Sequence, residues 1–433
     1  MERARKENCN PCSISFTLSR RVTRASDDYG WAKRQTGVRR TYRASRRFVL
    51  CSILLILFCC LGVASVQHER PQKSGDHIGD DKCLSCHEQY KSYLRTAHHL
   101  TSQPATANSI AGKFSTGENI LKTSEPELHY RMENRKDGFY QTAVLGAPPD
   151  FATISERFDF VVGSGRKGQS YLYWGKNEQL FQLPVSYWTE VDKWVPSPGY
   201  DDKVVNFSRP VFPRCLECHA SLFEPLSASN TNNRYGQSNY ILGISCERCH
   251  GPGKDHLEIH STKDAKPLTQ AIVNPTKLSR SRQIQLCSLC HGGIGVAKAP
   301  AFSFVAGKDL DAFIQLETPK PDEPLDVHGN QVALLQRSRC FQSSEMTCST
   351  CHNLHLPQRD VRDFSARCLT CHKVESCGLF PTAGREIADR CIDCHLPNQT
   401  SNVIMSRNEG VEVRPKVRNH WIRVYTESST RPK

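Results

Sequence analysis

Cys348-Ser349-Thr350-Cys351-His352-Asn353-Leu354-His355 holds two thiols one short turn apart, a histidine directly after the second, and another histidine three residues on. Thiols at that spacing can add to the two vinyl groups of a haem, and the adjoining imidazole then lies beneath the iron as its proximal ligand. The same unit occurs at Cys83/Cys86/His87, Cys215/Cys218/His219, Cys246/Cys249/His250, Cys287/Cys290/His291, Cys368/Cys371/His372 and Cys391/Cys394/His395. Zinc knuckles and disulfide frameworks also use paired cysteines, but neither requires histidine directly after the second one. Here it stands there seven times out of seven. The sequence therefore predicts seven covalently bound haem c groups.

Composition agrees with that reading. Only 38% of the 433 residues are apolar, while Gly and Pro number 26 and 24. Porphyrins would supply apolar surface that the side chains lack. The expected fold is mainly irregular chain with short α-helices around covalently bound haems, plus a small β-rich insertion. Without haem such a chain should be close to unfolded.

The formal charge of +13 suggests nucleic acid at first sight. Residues 1–47 hold 13 Lys/Arg against 4 Asp/Glu, a local +9 that leaves +4 for the remainder. Fourteen propionates and seven ferric centres bring that remainder to about −3 oxidised and about −10 reduced. No nucleic-acid partner is expected. Arg46 and Arg47 are followed by an uncharged apolar run, 48–66, that suits a cleaved signal-peptide core or a retained membrane anchor. The cleaved form is preferred, with the small residues Gly62, Ala64 and Ser65 placed to serve a signal peptidase. Export and haem attachment together place the protein in the bacterial periplasm or another extracytoplasmic envelope space.

The motifs divide the remaining chain. After the leader, 1–47, and the apolar run, a first haem segment is expected over 67–124, a β-rich insertion over 125–212, a six-haem domain over 213–425 and a tail over 426–433. Within the insertion, His129–Met132 and Phe139–Thr142 flank the turn signal Lys136-Asp137-Gly138. Further strands are predicted at 158–162, 170–174 and 179–183. Gly163 to Gly168 is read as a glycine-rich connection, since Gln169 stands where a phosphate-binding loop needs lysine.

A low-spin haem needs a sixth ligand, usually His or Met. After the leader only Met132, Met346 and Met405 remain, whereas ten histidines lie outside the motifs, so mostly bis-His haems of low potential are expected. His355 and His256 are the leading candidates, each directed by local geometry away from its own haem and toward a neighbour. One of His98 and His99 follows, then His420, His328, His129 and His260. His68 and His77 lie in a polar stretch and are poor candidates. Cys340 and Cys377, outside the motifs, suit a disulfide in an oxidising compartment.

Three phrases resemble the exported multihaem cytochromes of the cytochrome c-554 type, which share haem packing with pentahaem nitrite reductase and octahaem hydroxylamine oxidoreductase. They are Cys246-Glu247-Arg248-Cys249-His250-Gly251-Pro252-Gly253, Met346-Thr347 followed by the 348–355 stretch, and Cys391-Ile392-Asp393-Cys394-His395-Leu396-Pro397. The resemblance spans roughly residues 80–425 and implies closely packed haem pairs that pass electrons along a chain. The Cys-x-x-Cys-Lys haem of those nitrite reductases is absent, which counts against nitrite reduction.

Two functions follow. The first is electron transfer between envelope redox proteins, with a quinone-linked membrane donor as one partner. The alternative is an oxidoreductase in which one open-faced haem acts on a small nitrogen or sulfur compound. The Cys83 and Cys287 motifs are the expected places for such an opening, and no catalytic residue is assigned.

Overall fold

The computed structural model describes residues 76–261, 271–320 and 323–425. The leader, the apolar run 48–66, His68 and the tail 426–433 lie outside the described residues.

The hairpin predicted around Lys136-Asp137-Gly138 joins Leu128–Arg135 to Gly138–Ala147, with Arg135 opposite Gly138. Gly138 has φ +146°, a backbone conformation that a side chain disfavours. Ile120–Lys122 and Asp150–Arg157 complete a four-stranded antiparallel sheet. Along Leu128–Arg135 the side chains alternate: Leu128, Tyr130 and Met132 are buried, while His129, Arg131 and Glu133 lie on the outer face.

A second sheet takes Ser102–Pro104, Phe160–Val162, Ser170–Trp174, Leu180–Gln182 and Arg209–Pro210 in that order. The Gly163–Gly168 stretch is its connection between two neighbouring strands. A hairpin of Val185–Trp188 and Lys193–Pro196 lies beside it. Aromatic rings hold these layers together. Phe158 stacks on Tyr171 with centroids 4.4 Å apart, and Trp194 meets Tyr187 edge-on at 5.1 Å. Buried Gln141 reaches across to both backbone groups of Val185, at 2.8 and 3.1 Å, so a polar side chain ties sheet to hairpin without an unmet donor.

The expected fold class needs correction. Strand is not confined to a small insertion: it begins at Ser102 and recurs as far as Arg418, in seven sheets among the described residues. Ala220–Pro225 pairs with Tyr235–Leu242 beyond the second haem motif. C-terminal hairpins join Asn398–Thr400 to Lys416–Arg418 and Ser406–Asn408 to Val411–Val413. The physical reason is that the aromatic and β-branched residues suffice for protein cores that need no porphyrin: Phe160, Leu172, Leu180, Val211, Leu222, Phe223 and Tyr235 form one of them.

These cores position the haem motifs. Leu216, inside the second motif, is buried in that cluster and docks the helix Pro213–Glu217 against the strands. Ser102, first residue of its strand, donates to the carbonyl of His219 at 2.6 Å and accepts from Gly243 N–H at 2.8 Å. Gly243 has φ +65° and passes so close to the His99 carbonyl that a Cβ would collide with it. Among the described residues no helix is long and apolar enough to cross a membrane.

Candidate haem-binding sites

All seven motifs sit on or end helices, five of them on Asp80–Leu84, Pro213–Glu217, Cys246–His250, Cys348–Cys351 and Cys391–His395. The longest, Arg280–His291, carries the Cys287 motif in its last turn and is capped by the Ser279 side chain. Val361–Cys368 delivers the sixth motif from its C-terminal end, behind an Asp360 cap.

Histidines meet across motifs. The ring centroids of His87 and His256 lie 6.5 Å apart, His250 and His355 6.1 Å, His352 and His420 6.3 Å, and His98 and His291 6.1 Å. An iron bound at about 2 Å by one nitrogen of each imidazole would separate the two ring centres by roughly 6.3 Å. All four pairs match that spacing, three with near-parallel planes and His98–His291 at 77°. Either orientation fits, because rotation about the ligand axis leaves the spacing unchanged.

His219 has no ring partner at that distance, but His328 stands near enough to disfavour its charge and that of His291. Burial pushes the His98, His219 and His352 imidazoles down to about 4, with neighbouring histidines adding to the effect. Burial also lowers His256, His291, His328, His355 and His420. Neutral imidazole is the form that can donate a lone pair to iron. The residues present therefore fit haem: thiol pairs on helical turns, and uncharged rings facing across the space an iron would occupy.

The remaining candidates fall elsewhere. His99 turns its Nδ1 to Asp80 at 3.2 Å, so of the adjacent pair it is His98 that faces a motif. His260 packs on His256 at 4.6 Å, one helical turn away. His129 sits on the outer face of the four-stranded sheet, with Arg131 as its charged neighbour and no motif histidine in ring contact. His77, set aside above, is half-buried, and its Nδ1 is enclosed without a partner. The expected openings at the Cys83 and Cys287 motifs each have a histidine opposite. Among the described residues His219, His372 and His395 have no histidine ring in contact, and of these His219 has His328 near it; His395 directs its Nδ1 to the Arg423 carbonyl at 2.9 Å. Cys340 and Cys377 are not bonded to each other: both are free thiols, Cys340 beside Cys351 and Cys368, Cys377 beside Cys391 and Cys394.

Sequence reasoning passed over the residues between the paired cysteines, and these join motif to motif. Buried Glu247, between Cys246 and Cys249, accepts hydrogen bonds from the backbone of Ile78, Gly79 and Gly253 at 2.8–3.0 Å. Asp80 returns the contact by accepting from Cys246 N–H at 2.9 Å. Buried Glu217 lies between Arg214 at 2.9 Å and Arg248 at 3.4 Å and accepts from Phe302 N–H. Arg214 goes on to the Leu289 carbonyl at 2.6 Å. Asp393 pairs with Arg418 at 2.7 Å. The available signal was charge at the variable motif positions, where burial beside a haem demands a partner.

Thiols of different motifs also meet. Cys83 and Cys246, Cys218 and Cys290, and Cys287 and Cys348 stand near enough to shift one another's acidity. The Val361–Cys368 helix packs on both Cys348–Cys351 and Cys391–His395. All seven motifs are thereby linked, neighbour to neighbour.

Residues 201–251, which include the second and third motifs, match the family model described as cytochrome c554 and c-prime. The C-type polyheme cytochrome OmcC of Geobacter sulfurreducens is 26% identical over 172 residues, covering 34% of this chain and 21% of that protein. The chain thus spans about a fifth of the length of this relative. No solved structure matches. Joined to the seven Cys-x-x-Cys-His repeats and the facing uncharged histidines, these similarities support a multihaem c-type cytochrome.

Proposed function

We propose that this cytochrome carries seven haems and moves electrons between redox proteins of the bacterial envelope, in the periplasm or another extracytoplasmic space. The observation that carries the reading is the set of facing histidine pairs at 6.1–6.5 Å, because two fixed imidazoles leave an iron no place for substrate. Each bound haem supplies a one-electron ferric/ferrous couple.

The protein's own residues hold the ligands in place. In this reading His87, His219, His250, His291, His352, His372 and His395 would hold the haem irons on the motif side. His256, His328, His355, His98 and His420 would meet the first five, in that order, from the other side. Tyr93 fixes the distal side of the His250 site: its hydroxyl donates to the Ile244 carbonyl at 2.6 Å and its ring rests on His355. Ser92 donates to the His355 carbonyl at 3.0 Å. Rigid axial ligands keep the geometry alike in both oxidation states, which favours rapid electron exchange.

A second reading has one supporting observation. Among the described residues His219, His372 and His395 have no facing histidine ring, and of these His219 has His328 near it, so an iron open to a small nitrogen or sulfur compound would belong at the Cys368 or Cys391 motif. One spectrum separates the readings. The intact ferric protein should give low-spin EPR signals that ignore nitrite, hydroxylamine and cyanide, with a mass increment of seven haems. His256→Ala and His355→Ala should each convert one haem to high spin. A high-spin signal in the wild-type protein that shifts with added nitrite or hydroxylamine would favour the enzyme.

A further inference from the structure

We propose that the Cys287 motif is a three-way junction in the electron path, and that the Cys215 motif is a side arm reaching the surface rather than a step in the main line. This rests on the electron-transfer reading above.

Three other motifs surround the Cys287 motif. On one side the Arg280–His291 helix packs on Cys348–Cys351, and Arg280 fastens the approach by donating to the carbonyls of Met346 at 3.1 Å and Phe341 at 2.7 Å. On a second side Arg214 binds the Leu289 carbonyl at 2.6 Å, and Cys218 Sγ lies 3.8 Å from the same oxygen. His328 sits near His219 and His291 alike. On the third side Arg248, inside the Cys246 motif, donates to the Phe304 carbonyl at 3.5 Å, and Phe304 shares a buried cluster with Leu289 of the Cys287 motif. Ser288 and Leu289, between the junction thiols, are buried as a central position requires.

The Cys215 motif has a different setting. Leu216 anchors it in the protein core of the strands, so β-structure rather than another motif fills one flank. Its link to the Cys246 motif runs through the Glu217–Arg248 ion pair and not thiol to thiol. Cys215 itself is exposed, as are Cys86 and Cys371 in the outlying motifs. A main line then follows the motifs at Cys83, Cys246, Cys287, Cys348, Cys368 and Cys391, with the Cys215 site branching from its third member. Three arms with solvent-facing thiols offer three places for redox partners to dock, where a linear relay has two.

The test is to locate the irons in an experimental structure of the holoprotein by anomalous scattering. The iron at the Cys287 motif should have those at Cys215, Cys246 and Cys348 as its three nearest neighbours, and the Cys215 iron should have the Cys287 iron as its nearest. Seven irons with the Cys215 iron lying between two others, or nearest to the Cys246 iron, would overturn the junction and leave the carrier reading intact. Absence of iron at the Cys215 or Cys287 motif would overturn both.

Discussion

The strand region and the motif region solve the problem of burial in opposite ways. From Ser102 to Leu242, Phe158, Tyr171, Tyr187 and Trp194 pack ring on ring, and hydroxyls such as that of Tyr235 find backbone carbonyls, here Val211 at 2.8 Å. At the haem motifs most thiols and histidines stay partly accessible, and the few charged side chains between paired cysteines are themselves paired, Glu217 with Arg214 and Arg248 and Asp393 with Arg418. One region is complete as polypeptide. The other is built around a group that the polypeptide must still receive, and its ion pairs set the distances at which that group is held.

The broadest test of this contrast is removal of haem. Expressed without attachment machinery, the protein should keep the near-ultraviolet signal of Trp194 and protease resistance over 120–196, while 271–395 is digested. Equal digestion of both regions would erase the distinction. A sharper cut is Glu217→Gln, which leaves Arg248, its side chain only 6% exposed, without a counter-charge. Loss of one partner of a buried pair costs about 3 kcal/mol. The holoprotein should lose about that much in denaturant titration followed at the Soret band, with little change in the tryptophan signal.

The smallest effect concerns pH. Asp202 is buried, which alone would raise its carboxyl, but hydrogen bonds from Ser124 and from Glu409 N–H at 3.0 Å outweigh that and hold it below the usual carboxylate range. A depressed value means stability present above the unfolded pKa of about 3.9 and lost as pH falls through the folded value. Amide exchange across Ser406–Val413 should therefore quicken below about pH 4. Asp202→Asn should remove that pH dependence at a cost of about 1 kcal/mol.

What the sequence disclosed divides along the same line. The hairpin at Lys136-Asp137-Gly138 and the strands near 158–162, 170–174 and 179–183 were readable because turn residues and alternation are local signals. Ala220–Pro225 with Tyr235–Leu242 was not, since a nine-residue loop hides the pairing and a Cys-x-x-Cys-His motif precedes it. Nor were the C-terminal hairpins, whose tie to Asp202 spans 207 positions. The seven Cys-x-x-Cys-His repeats were plain from spacing alone. Which histidine faces which motif was partly so: His355 and His256 carried local hints, whereas His420 and His328 are brought to their sites by packing that no short pattern encodes. His129 had only its residue type in its favour, and the sheet keeps it on an outer face.

The facing histidines come from remote parts of the chain. His98 meets a motif almost 200 positions later, and His420 completes a site begun at Cys348. A chain emerging from the export channel amino end first would present His98 long before the motif that needs it, and His420 after every thiol pair had passed. Maturation would then finish from the carboxyl end: a truncation before His420 would leave each cysteine able to take its porphyrin while one iron lacked its second imidazole.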